Sequence, residues 1–144
     1  MPRPKTPELT VDIIIEMHDQ PGNPIVLIER KYEPFGWAIP GGFVDVGETV
    51  SSAAIREALE ETCLQVELDC LLGCYSDPAR DPRGHTVALV FVAHASGTPQ
   101  ADDDAAAVDV FDPDKVHVEL AFDHAAIIRD YRRYRESGVL PLPG

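Results

Sequence analysis

Residues 42–64 read GFVDVGETVSSAAIREALEETCL, and this stretch decides how the rest of the chain is understood. Asp45, Glu48, Glu57, Glu60 and Glu61 fall within it, together with Arg56. The spacing predicts a helix from Glu48 to Thr62, with Val50, Ala53, Ala54, Ala58 and Leu59 as its apolar side. Thr49 or Glu48 stands near its start, where hydroxyl and acidic groups suit the free N–H groups of a first turn. On that helix Glu57, Glu60 and Glu61 occupy positions i, i+3 and i+4, so three carboxylates share one face. Like charges at that spacing destabilise an isolated helix. A bare E-x-x-E-E is most often a solvated face. The other reading is a cation that bridges the carboxylates, since hard divalent ions such as Mg²⁺ take oxygen ligands and bind through few carboxylates alongside substrate phosphates. A Pro40-Gly41-Gly42 turn and an acidic loop ending in Gly47-Glu48 precede the glutamates, and this context favours the cation.

Composition narrows the function classes. A chain of 144 residues is enough for one domain with one core, so a single domain over 1–144 is expected. With 44% hydrophobic and 26% charged residues it reads as a soluble globular protein. The net charge of −13, with no basic stripe to offset it, argues against a general nucleic-acid or anionic-membrane binder. A polyphosphate would be repelled too unless metal ions and local basic residues intervene, so the charge favours metal-dependent phosphate chemistry. No apolar run reaches the roughly 18 residues of a membrane span. The opening MPRPKTPELT lacks the apolar core of a signal peptide, and a cytoplasmic location is expected. Cys63, Cys70 and Cys74 form an odd set without a disulfide framework. They read as free thiols, and Cys70-x3-Cys74 has no second ligand pair near it for a metal.

Strand signals alternate with two helices. Thr10–His18 and Ile25–Lys31, separated by the turn Asp19–Pro24, read as a hairpin. Trp37–Ile39 is a short strand stopped by Pro40. Gln65–Tyr75 carries a strand, Ser76–Gly84 a loop rich in turn residues. His85–Ala95 is the longest strand signal and is expected to be central. Ser96–Ala107 reads as a loop containing Asp102, Asp103 and Asp104, and Val108–Phe111 as a short strand. Phe122–Ser137 is a second amphipathic helix, with Ala126, Ile127, Tyr131 and Tyr134 or Arg135 at helical spacing, stopped by Gly138. The fold class is α/β or α+β, and the pattern alone does not fix the topology.

The 42–64 segment resembles the Nudix box, G-x5-E-x7-R-E-U-x-E-E-x-G-U with U apolar. Gly42, Glu48, Arg56, Glu57, Ala58, Glu60, Glu61 and Leu64 match it. Cys63 stands where the motif has its glycine, which bears on how the helix closes and leaves the carboxylates untouched. The resemblance implies a Nudix-type α/β/α sandwich with a mixed β-sheet. It implies a hydrolase that uses Mg²⁺ or Mn²⁺ to cleave a nucleoside diphosphate linked to another moiety, and a homodimer. It makes Glu57 and Glu61 the main metal ligands, Glu60 a ligand or close partner, and the Gly41 carbonyl a further ligand. Arg56 would orient the glutamates, and Glu48 would hold the loop. Similar sequences carry a glutamate where this chain has Ala107. The base or water orienter is therefore assigned to Glu57, with Asp103 and Asp104 as alternatives.

The stretch Tyr75–His85, YSDPARDPRGH, with Pro78, is similar to small bacterial and archaeal ADP-ribose pyrophosphatases, as is Leu120-Ala121-Phe122-Asp123-His124. ADP-ribose is therefore the expected substrate, bound through Arg30, Arg80, Arg83, Pro78 and Gly42. Arg80 and Arg83 are the best local cations for a phosphate or ribose, unless they simply pair with Asp77 and Asp81 on a surface loop. A nucleoside triphosphate or nucleotide sugar is the enzymatic alternative. A Nudix-like domain that senses ADP-ribose without hydrolysing it is the non-enzymatic one.

Overall fold

The computed structural model describes residues 2–143. Its architecture follows from the alternation along the first strand, β1 (Glu8–Met17). Side chains two apart on a strand share a face. Val11, Ile13, Ile15 and Met17 pack with Ala53, Ala54 and Ala58 of the first helix, α1 (Val50–Thr62). Ile14, on the opposite face, packs with Ile127, Ile128 and Tyr131 of the second helix, α2 (His124–Ser137). One sheet thus carries a helix and a core on each face, the α/β/α layering expected.

β1 lies inside a seven-stranded mixed sheet. It pairs in parallel with β6 (Thr86–Ala95), from Glu8↔Thr86 to Met17↔Ala95, and β6 pairs antiparallel with β5 (Glu67–Tyr75). On its other side β1 meets β4 (Gly41–Phe43) at Thr10–Asp12 and β2 (Ile25–Arg30) at Glu16. β2 also pairs with β3 (Trp37–Ala38) and β7 (Ala105–Phe111).

Three local expectations are corrected. Gly41-Gly42 is not a turn but part of β4. A strand can come this close only without side chains, because a Cβ on Gly41 would stand 2.2 Å from the Val11 carbonyl oxygen. β7 begins at Ala105 rather than Val108, because pairing with β2 (Arg30↔Ala105, Glu29↔Ala107) draws in alanines of weak strand preference. Leu59 is 41% exposed, while Glu61 and Thr62 are buried on the inner side of α1.

Both helices are closed by left-handed residues. The Thr49 side chain accepts the Ser52 N–H at the start of α1, and Cys63 ends it at φ 60°, its N–H donating to Leu59 O at 3.0 Å. The closure survives the loss of the motif glycine. Gly138 ends α2 at φ 74°.

Candidate active site

Where β4, the C-terminal half of α1, the end of β2 and the loops around residues 80 and 122 converge, a cleft of about 310 Å³ opens. One wall is acidic. Glu57 and Glu61, one helical turn apart on α1, both line it. β4 packs directly on them. The Gly41 N–H donates to Glu61 Oε1 at 2.9 Å, and a Cβ on Gly42 would fall 2.5 Å from the Glu57 carboxylate. Burial pushes the Glu61 carboxyl up to about 8; Glu57, Asp12 and Asp104 add to the rise, and the Gly41 N–H opposes it. Burial raises Glu57 as well, with Arg56 opposing.

Arg56 ties the acidic loop to the helix without lining the cleft. Its Nε donates to Glu48 (3.0 Å), its Nη1 to Glu57 (2.9 Å) and Glu60 (3.2 Å), and its Nη2 to the Phe43 carbonyl (3.0 Å). Glu48, bonded by Arg56 and by the Asp45 N–H, is held down at about 2. Glu60 is not part of the cleft wall: its side chain is 42% exposed and turned to Arg56.

Among the described residues no three His, Cys, Asp or Glu side chains converge as a ready metal cluster. The donor set still suits a hard divalent ion. Such an ion binds through one or two carboxylates, substrate phosphates and retained waters rather than an all-protein cage. Glu57 and Glu61 supply two carboxylates in a cleft whose remaining volume is open to phosphate oxygens. Both resist ionisation as they stand, and a bound cation would remove that conflict.

The same cleft carries basic groups. Arg30, Arg80 and Arg83 all line the cleft, but they differ in freedom. Arg80 is buried and committed: it makes a two-pronged bond to Asp123 (2.9 and 2.7 Å) and another to Thr86 Oγ1 (2.7 Å). Its partner is therefore a residue of the distant 120–124 turn rather than Asp77 or Asp81. Arg83 does pair with Asp81 through Nε (3.1 Å) and Nη2 (2.9 Å). Among the described residues the Arg30 side chain donates only its Nε, to Pro34 O at 2.7 Å. Pro78, expected at the substrate, lies exposed outside the cleft wall. Gly42, Asp103 and Asp104 line it, and Lys31 Nζ fixes the Asp103 carbonyl at 2.7 Å.

Asp12, His124 and Phe122 are among the cleft residues that the sequence does not mark as site residues. Asp12 is buried on β1, and burial, against the opposing pull of Arg80, pushes its carboxyl up to about 7. His124 sits beneath it, with Nε2 3.8 Å from Asp12 Oδ2. Its Nδ1 accepts the Ile39 N–H at 3.0 Å, which leaves the ring proton on Nε2, and burial drives the ring down to about 3. Phe122 lines the cleft, with Arg30 and Arg83 over its ring. The available signal for Asp12 was its place within the apolar run TVDIII, where a carboxylate needs a reason to be buried.

A sheet between two helices, with helix carboxylates and arginines lining one cleft, defines a class of domain suited to binding a phosphorylated ligand. The NUDIX domain family model matches residues 6–131. The chain is 47% identical over 132 residues to the ADP-ribose pyrophosphatase of Methanocaldococcus jannaschii, an alignment covering 90% of this chain and 75% of that one. Among solved structures it resembles a MutT/nudix family protein from Enterococcus faecalis (TM-score 0.78, 30% identity), over 94% of this chain and 65% of the other. It also resembles the NUDIX domain of Shewanella oneidensis NrtR, solved complexed with ADP ribose (TM-score 0.78, 27% identity), over 91% of this chain and 90% of the other. The chain belongs to the Nudix family.

Proposed function

We propose that this Nudix pyrophosphohydrolase cleaves ADP-ribose with water to AMP and ribose 5-phosphate. The observation that carries the reading is the juxtaposition in one cleft of Glu57 and Glu61 with Arg30 and Arg83. In a chain of net charge −13, that is where a diphosphate can lie with its charge balanced on both sides. The 47% identity to an ADP-ribose pyrophosphatase supports the choice of substrate.

Glu57 and Glu61, with the Gly41 backbone, would hold Mg²⁺ or Mn²⁺; Glu60 would join them only by leaving Arg56. Such an ion, when bound, neutralises phosphate oxygens and lowers the pKa of water. The chain's own groups supply the rest. Arg56 keeps Glu57 aimed into the cleft, and Arg30 and Arg83 carry diphosphate oxygens. Glu57, or Asp103 or Asp104 across the cleft, takes a proton from the attacking water. The new P–O bond forms at one phosphorus, the P–O–P bond breaks, and the bridging oxygen leaves on the other phosphate. On the family likeness we extend the proposal to a homodimer acting in the cytoplasm; no helix among the described residues is long and apolar enough to cross a membrane.

The test is turnover of ADP-ribose with Mg²⁺ by wild type and Glu61→Gln, beside a panel of nucleoside triphosphates. AMP and ribose 5-phosphate are expected from the wild type, with activity lower by about 100-fold in Glu61→Gln. Preference for a triphosphate would replace the substrate. Tight ADP-ribose binding with no turnover of any compound would make the domain a sensor.

A further inference from the structure

Two cleft-lining residues, Asp103 and Phe122, have positive φ, at 53° and 55°. Aspartate tolerates the left-handed region, whereas a bulky aromatic there is a strained exception that its surroundings must hold. The neighbours of Phe122 do so on both sides. The Ala121 N–H donates to Trp37 O at 2.8 Å, and Trp37 bridges to Leu120. Asp123 receives the two-pronged bond from Arg80, and His124 Nδ1 receives the Ile39 N–H. The turn is clamped at each flank, and the strained residue between the clamps lines the cleft.

Two guanidinium groups lie over that ring. The Arg30 guanidinium carbon is 4.9 Å from the Phe122 centroid, and that of Arg83 is 5.1 Å away. Arg83 also lies 5.4 Å over Phe43. Like charges at this range repel. Burial, and next to it the charge of Arg83, lowers the pKa of Arg30. The negative face of an aromatic ring offsets that repulsion and fixes the planes of the cations. Among the described residues neither Nη of Arg30 has a hydrogen-bond partner, so four N–H donors stay free at the cleft.

We propose that Phe122 is a positioning residue, which holds Arg30 and Arg83 together as a clamp on the diphosphate of the substrate. The proposal rests on the cleft being the diphosphate site, as argued above. Phe122 does not touch the reacting phosphorus; it acts through the two arginines. Its loss should weaken binding of ground state and transition state alike, and so raise KM more than it lowers kcat.

Phe122→Leu keeps apolar bulk and removes the π face; Phe122→Tyr keeps the face. The expected result is a KM raised by about 5- to 20-fold in Phe122→Leu, with kcat within about 3-fold of wild type. Phe122→Tyr should restore KM to within about 2-fold. Arg83→Lys, which keeps charge but loses the stacking plane, should raise KM in the same direction and serves if Phe122→Leu fails to fold. The ratios are read on whichever nucleotide the wild type turns over fastest, or as Kd for ADP-ribose if it turns over none. Failure of ADP-ribose as substrate thus strikes the functional reading while the ratio still judges Phe122. An unchanged KM in Phe122→Leu, no rescue by tyrosine, or kcat and KM falling together with the melting temperature would overturn the clamp. Absence of any nucleotide turnover or ADP-ribose binding would overturn both.

Discussion

Cys63 shows how a single residue can depart from a motif without undoing its structure. At φ 60° and ψ 21° it occupies the left-handed region that glycine reaches freely, and it still caps α1. A side chain there costs roughly 1–2 kcal/mol, and glycine gives back part of that gain through a freer unfolded chain. Cys63→Gly is therefore expected to stabilise the fold by about 0.5–1 kcal/mol, raising Tm by roughly 1–4 °C with unchanged turnover. Thermal unfolding decides it. A lower Tm would mean that the Cys63 Sγ contact to Asp102 Oδ2, at 4.0 Å, matters more than the backbone strain.

At the scale of elements, the site depends on β4 lying flat against β1 and α1. The two glycines of β4 serve different neighbours. A Cβ on Gly41 would meet Val11 O at 2.2 Å and Asp12 Oδ1 at 2.4 Å, and β1 cannot step aside because β6 pairs along its whole length. The three atoms nearest a Cβ on Gly42 would all belong to the Glu57 carboxylate, the end of a flexible side chain. Gly41→Ala should cost about 2 kcal/mol or more and lower Tm clearly. Gly42→Ala should stay folded but lose turnover, because Glu57 must leave its position. Paired melting and kinetic measurements separate the two. Equal losses of stability in both variants would show that β4 is held as a unit rather than by these separate contacts.

For the whole molecule, the consequence is a link between pH, cation and stability. Asp12 and Glu61 are raised to about 7 and 8, above their usual 3.8 and 4.5. The folded state therefore holds protons that the unfolded state releases, and stability falls as pH rises through those values. His124 acts oppositely: held down at about 3 rather than 6.5, it removes stability as pH falls below 6.5. Glu48, lowered to about 2, matters only in stronger acid. From pH 6.5 to 8 the two carboxylates dominate, with His94, raised by Asp69 at the surface, adding in the same direction. The metal-free protein should lose a few degrees of Tm across that window, and Glu61→Gln should flatten the slope. Mg²⁺ should raise Tm more at pH 8 than at pH 6.5, since it binds the ionised carboxylates. A metal-free Tm that is flat or rising from pH 6.5 to 8 would refute the linkage.

The sequence by itself determined what repeats locally. The 3.6-residue period placed Glu57 and Glu61 on one face of α1, apolar runs marked β1 and β6, and Gly138 marked the end of α2. Only the tertiary structure decided the cleft. Arg80 meets Asp123 across 43 residues, and His124 meets the Ile39 N–H across 85. Glu60 turns to Arg56, while Asp12 of β1 joins the α1 carboxylates in the cleft lining. Hydrophobic periodicity is a property of neighbouring residues, whereas these partners are brought together by strand pairing and burial. Which arginine is spent on structure and which is left free for a ligand is therefore settled only once the chain has closed on itself.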